Sequence, residues 1–287
     1  MPEPEPEPEP EPRGATPAEA VARGGLMALF DLGRPVTVCA PMVRYSKLPF
    51  RLTVRSWGCD LAYTPMIVAD SFVNAPQARA NEFSTCAEDR PLCAPHPPNP
   101  HPLASADRLE GGGSCRVAQF GANNAHQLAT AAAMIQEHVD GVDINMGCPQ
   151  RWAMRDGMVL ALPHSSPCSP QKPWHELTRA VRAQGAALLH EVETARQMAR
   201  LVTGATSLPF SAKIRVDPDL RRTVDLVRQL EAAGVAFITV HGRTCKQRSA
   251  DPVDFEAIKL VVESVAIPVL ANGDINSVAD TGGHATA

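Results

Sequence analysis

A chain of 287 residues has room for one large domain or two small ones, and its net charge of −4 excludes a polycation built for nucleic acid while leaving room for a local basic patch. Eight scattered cysteines with no CxxC pair, and no apolar leader ahead of them, argue against an extracellular disulfide framework. No uninterrupted apolar run is long enough to span a membrane, so the expected setting is a reducing one, cytoplasmic or nuclear.

Met1 to about Gly14 is mostly alternating Pro and Glu, which lacks donors and repels itself; residues 1–15 read as a disordered, solvated tail. Order is expected from Thr16, a helix cap followed by Pro17 and Glu19, with a weak helical pattern over Ala18 to Leu32. Val36 to Ala40 reads as a buried strand stopped by Pro41-Met42, and a helix from Leu48 to Trp57 is entered through Ser46. Further strands are expected at Leu61 to Thr64, Arg116 to Phe120, Val142 to Ile144, Phe210 to Arg215, Val235 to Val240 and Ile267 to Ala271. The helices between them run from about Asn124 to His138, from an Asp217-led start through Ala233, and from about Asp254 to Val265.

Strands alternating with amphipathic helices imply parallel pairing through right-handed crossovers, and mostly apolar strands imply cover on both faces. An open doubly wound sheet and a TIM (β/α)8 barrel both satisfy this. Pro41-Met42, Gln119, Asn145 with Cys148, Lys213, His241 and Asn272 all fall at or just past the C-terminal end of a strand. In a barrel those ends ring one cavity, where barrel enzymes keep their chemistry. The barrel is therefore the expected α/β fold, incomplete at about seven strands: Val278 to Ala287 is too short and polar for a last helix and strand.

Gly141 to Pro149 is the most informative stretch. Val142 to Ile144 reads as strand, whereas Asn145, Gly147 and Pro149 favour a turn, so Cys148 faces a cavity rather than packing as the usual buried free cysteine. Lys213 lies inside an apolar strand, where it needs an anionic or electron-rich neighbour unless that strand is an edge. His241-Gly242-Arg243 follows another strand, and Asn272-Gly273-Asp274 ends the last one, a plain turn or a place where backbone N–H groups approach a phosphate. Gln119 both donates and accepts, which suits the rim of a heterocycle. Together these describe a site for a phosphorylated, hydrogen-bonding heterocycle such as flavin mononucleotide, and the absence of GxGxxG gives a dinucleotide site little support.

Ala40-Pro41-Met42, Gln119-Phe120, Asp143 to Pro149, Lys213-Ile214-Arg215, Val240 to Thr244 and Asn272-Gly273-Asp274, in that order, resemble the tRNA-dihydrouridine synthases, most closely the eukaryotic dihydrouridine synthase 4-like branch. The resemblance runs from about Val36 to Ile275. It implies an FMN-dependent barrel that takes hydride from NADPH, reduces a uridine of the tRNA D-loop at positions 20a/20b, and carries an added C-terminal helical domain. It implies backbone contacts to the flavin from Pro41, Met42 and Val43, ring or phosphate contacts from Gln119, Lys213 and His241, and phosphate contacts from Asn272, Gly273 and Asp274. Cys148 would be the proton donor, with Asn145, Arg215 and Arg243 as substrate contacts. A stacked uracil cannot meet a buried flavin, so the base must leave the helix.

The sequence departs from that pattern in three places. About two dozen residues between Cys93 and Cys115 form an insert whose Cys93, His96, His101 and Cys115 match no common zinc spacing, so no metal is expected. A second insert of roughly 26 residues, Val159 to Gln184, parts Gly157-Met158 from Gly185-Ala186, and Trp174 to Val202 has helical spacing. The chain then ends after the seventh strand, with 277–287 as an irregular tail and the catalytic domain at 16–276; the helical domain that would strengthen tRNA binding is not in it. An unclosed barrel leaves two strand edges open. Besides the tRNA enzyme, an FMN barrel acting on a small pyrimidine and a non-catalytic remnant from splicing or a gene-model artefact stay open.

Overall fold

The computed structural model describes residues 25–86, 89, 115–148 and 187–277. The Pro/Glu tail, the Thr16 cap, Cys93, His96 and His101, Pro149, the second insert and residues 278–287 lie outside the described residues. In chain order, a 3-10 helix Gly25–Asp31 precedes β1 (Val38–Cys39), α1 (Leu48–Ser56), β2 (Leu61–Tyr63), β3 (Ile67–Val68), α2 (Ala69–Asn74), α3 (Pro76–Glu82), β4 (Cys115–Gly121) and α4 (Ala125–Ile135). There follow β5 (Gly141–Asn145), α5 (Ala187–Ala205), β6 (Phe210–Arg215), α6 (Leu220–Ala232), β7 (Phe237–His241), α7 (Phe255–Val262) and β8 (Val269–Asn272).

The sheet runs β1-β2-β4-β5-β6-β7-β8, every pair parallel, with the short β3 lying off this path against the end of β4. Its curl is direct: the Tyr63 hydroxyl on β2 reaches the Thr239 hydroxyl on β7, 3.4 Å away, although three strands separate them along the sheet. The seven path strands thus form an incomplete TIM-type barrel, as expected. Among the described residues, β1 and β8 do not pair with each other.

Period-2 alternation divides each strand between two environments. Outward residues such as Phe120, Val142, Ile144, Ile214 and Val240 pack under the helices in one large core with Leu128, Ile135, Met198 and Leu226. Inward residues Leu61, Tyr63, Val117, Phe237 and Leu270 close on Leu26 and Leu29 of the 3-10 helix, which plugs the interior. Of the helix expected over Ala18 to Leu32, residues 18–24 lie outside the described residues, and what is described is this 3-10 helix, entered through Gly25 at φ +66°.

Among the described residues, three helices begin on side-chain caps that satisfy otherwise orphaned N–H groups. Asn124 accepts from His126 and Gln127, and Asp254 accepts from Ala257. The third cap is Asp219, not Asp217: Asp217 is buried two residues earlier, with its N–H on Thr223 and its carboxylate accepting from the Asp219 N–H. Ser46 likewise does not cap α1. The residue before that helix is Lys47, which makes no capping bond, and the buried Ser46 Oγ ties the preceding turn instead. Of the helical pattern over Trp174 to Val202, residues 174–186 lie outside the described residues, and the remainder falls in α5, which runs to Ala205.

On the outer side of β4, the buried Asp89 carboxylate takes Arg51 at 2.7 Å, Arg116 at 2.8 Å and Arg55 at 3.2 Å. Burial opposes its charge, but the hydrogen bonds from Arg51 and Arg116 prevail and hold it at about 2. Cys115, grouped above with Cys93 and the two histidines, opens β4 and is buried in the inner core. No described helix is long and apolar enough to cross a membrane.

Candidate active site

Strand register assembles the site in rungs. Gln119, Asp143 and Ser211 lie side by side on β4, β5 and β6. One rung nearer the C-terminal ends come Asn145, Lys213, Thr239 and Leu270, and then Arg215, His241 and Asn272. The polar residues expected at separate strand ends therefore converge above the apolar plug.

A continuous hydrogen-bond chain crosses the first two rungs. Ser211 Oγ donates to Asp143 Oδ1 at 2.7 Å, and Gln119 Nε2 donates to Asp143 Oδ2 at 2.8 Å. Asn145 Nδ2 donates to Gln119 Oε1 at 2.9 Å, and Asn145 Oδ1 accepts the backbone N–H groups of Gly147 at 3.1 Å and Cys148 at 2.9 Å. Gln119 is fixed from behind as well, its N–H donating to Thr64 Oγ1. The loop beyond β5 leans on β6: a Cβ on Gly147 would stand 3.0 Å from the Arg215 backbone nitrogen, so a larger residue would have to push the β6 backbone aside. Cys148 itself is half-buried against Met66 and Val43. A cleft of about 560 Å³ opens beside them, lined by Arg44, Tyr45, Lys47 and Glu82 among others.

Charges in this space are strongly perturbed. Burial pushes Asp143 up to about 6, against hydrogen bonds from Gln119 and Ser211 and the nearby Lys213. Burial pushes Lys213 down to about 8; Asp143 and Cys148 draw it back up and Arg215 opposes them. His241 falls to about 3 through burial and then through Lys213, Arg215 and Arg243, so it is a neutral imidazole. Its Nε2 lies 3.2 Å from Arg243 Nη1, and a guanidinium can only donate, so the ring proton sits on Nδ1 and faces elsewhere as a donor.

The loops after β7 and β8 are held by Arg243. It is buried, and its guanidinium reaches the Asp251 and Ser249 carbonyls, His241, and Asp274 Oδ1 at 2.5 Å. With its donors so committed, Arg243 sets the positions of His241 and Asp274. Arg215 donates to the Thr244 carbonyl at 2.8 Å. Gly273 has φ +115°, and a Cβ there would come within 2.6 Å of Val253 and 3.0 Å of the His241 ring, so this close approach needs glycine. Asn272 is half-buried beside it. Across the mouth, the turn at Pro41, Met42 and Val43 is locked by Ser46, whose Oγ takes the Met42 N–H at 2.8 Å while the Met42 carbonyl accepts from Tyr45 and Ser46. The Met42 backbone is thus committed within the turn and its side chain is exposed.

Sequence reasoning passed over Asp143, Ser211 and Thr64 as functional positions. The signal for Asp143 was present: a carboxylate in the middle of an apolar strand needs buried partners. The donor set fits a phosphorylated heterocycle: a cationic Lys213, an imidazole N–H on His241, spare amide positions on Gln119 and Asn145, and a glycine at the β8 end where bulk is excluded.

The family model for dihydrouridine synthase matches residues 38–166 and 173–286, more than half of the chain. A Mus musculus protein named as a tRNA-dihydrouridine(20a/20b) synthase (NAD(P)+)-like is 42% identical over 252 residues, covering 87% of this chain and 62% of that one. A Homo sapiens protein of the same name is 41% identical over 252 residues, covering 87% and 63%. The Schizosaccharomyces pombe tRNA-dihydrouridine(20a/20b) synthase (NAD(P)+) is 37% identical over 246 residues, covering 85% and 60%. This chain therefore spans less than two thirds of the length of these relatives. With its matched segments carrying the strand ends that build the site, the chain belongs to the dihydrouridine synthase family.

Proposed function

We propose that this chain is the barrel of an FMN-dependent tRNA-dihydrouridine synthase, which reduces a D-loop uridine of tRNA to dihydrouridine with NADPH as hydride source. The relatives' names supply the tRNA positions, 20a/20b, and the NAD(P) dependence. The observation that carries the reading is the placement of Cys148 by Asn145, on the same mouth as Lys213 and His241.

Bound FMN would supply hydride to one carbon of the uracil C=C. The protein's part is the rest. Cys148 gives the thiol proton to the neighbouring carbon; a new C–H bond forms and a thiolate remains. Lys213 and Arg215 lie close enough to feel the charge of Cys148, and they favour that thiolate. Asn145 keeps one amide N–H for the uracil edge, with Arg215 as a second substrate contact. Lys213 and Gln119 would contact the isoalloxazine, the Pro41-Met42-Val43 turn would border it, and His241 and Asn272 with the backbone N–H groups of Gly273 and Asp274 would hold the phosphate. Arg243 acts through His241 and Asp274. The reacting base must be extruded from the tRNA stack to reach this mouth.

The test is dihydrouridine formation on unmodified tRNA with FMN and NADPH, read by nucleoside mass spectrometry. Cys148→Ala is expected to lower the rate about 10²- to 10⁴-fold, the range of a positioned general acid. Equal reduction of free pyrimidines, or a Cys148→Ala enzyme as fast as the parent, contradicts the reading.

A further inference from the structure

Asp143 is fully buried in β5, and no step of the proposed proton or hydride transfer touches it. Its neighbours come from every side of the interior: Gln119 on β4, Ser211 and Lys213 on β6, and Tyr63 on β2. What distinguishes it is polarity. An ionised carboxylate only accepts, so Gln119 must turn its NH₂ toward Asp143 and its carbonyl toward Asn145. Asn145 must then turn its NH₂ toward Gln119, which leaves Oδ1 facing the loop. From the other end, the N–H groups of Gly147 and Cys148 only donate, and they require that same oxygen. The two ends agree, so each amide has one orientation that satisfies the whole chain.

We propose that Asp143 is a positioning residue for Cys148: through Gln119 and Asn145 it fixes the amide faces that hold the Gly147-Cys148 backbone at the barrel mouth. The functional weight of this rests on Cys148 being the proton donor, but the positioning is measurable without substrate. Asp143→Leu removes the acceptor at the root of the chain and frees Gln119 to turn over. Asp143→Asn keeps the chain intact, because its carbonyl still accepts from Gln119 while its NH₂ donates to Ser211 Oγ, a hydroxyl able to reverse its role.

The experiment is the rate of iodoacetamide alkylation at Cys148 in the full chain, read by peptide mass spectrometry, with Cys59, just ahead of β2 with its thiol on the Leu61 carbonyl, as internal standard. In Asp143→Leu the Cys148 rate is expected to rise about five- to tenfold, the scale of one lost hydrogen bond, while Cys59 stays within about twofold. Asp143→Asn is expected to stay within about twofold of the parent at both cysteines. Gln119→Met, which cuts the chain at its middle, should reproduce the Leu result and serves if the Leu variant does not fold. An unchanged Cys148 rate in the cut chains, an equal rise at Cys59, or an Asn variant that behaves like Leu overturns the proposal. Failure of the parent chain to reduce tRNA bears on the functional reading alone, since alkylation is read without substrate.

Discussion

At the scale of single residues, the buried Lys213 works against the fold. Its folded pKa of about 8 lies below the ordinary lysine value of 10.5, chiefly through burial. A depressed pKa favours the fold above the unfolded value, and that contribution is lost as pH falls through about 8. At neutral pH the charged lysine therefore opposes folding by on the order of 3 kcal/mol. Lys213→Met should raise the stability of the ligand-free chain at pH 7 by about 1–3 kcal/mol and flatten its pH dependence between about 8 and 10.5, seen in urea melts across that range. The same substitution should weaken FMN binding at least tenfold, a trade between stability and function. A melt at pH 7 that Lys213→Met leaves unmoved contradicts this. Asp143 has the same sense with opposite charge: raised to about 6, it loses stability to the fold as pH rises through that value.

At the scale of elements, the ends of β7 and β8 behave as one clamp. Gly242 donates its N–H to the Asn272 carbonyl, Arg243 bridges His241 and Asp274, and Gly273 passes beneath the His241 ring. Gly273→Ala places a Cβ where Val253 and His241 already stand, at a φ that disfavours any side chain. A loss of about 1–3 kcal/mol in thermal or urea unfolding is expected, with weaker flavin binding because His241 must shift. Unchanged stability and binding would show the clamp to be slack. These strand ends were legible in the sequence because a polar residue closing an apolar run announces itself. Ser46 and Asp217 were not, because each sits beside a helix start and could cap it by local spacing alone. The turn at Met42 takes the hydroxyl of Ser46, and the Asp219 N–H takes the carboxylate of Asp217, and neither choice is written in spacing.

At the scale of the whole molecule, one curled sheet carries an apolar plug at one end of its interior and a polar mouth at the other. The parallel order of seven strands followed from the alternation of strand and helix. The plug did not, since its residues fall within a weak helical pattern over Ala18 to Leu32 and its partners Tyr63, Phe237 and Leu270 are distant in sequence. Nor did β3, α2 and α3, which are too short for periodicity to separate from loop, or the Asp89 cluster, whose arginines lie on two elements. Whether this arrangement holds a flavin is tested most directly by the visible absorbance of the purified full chain after loading with FMN and desalting. A retained two-banded flavin spectrum that Lys213→Met diminishes is expected; a colourless parent chain that remains folded would contradict a flavin site.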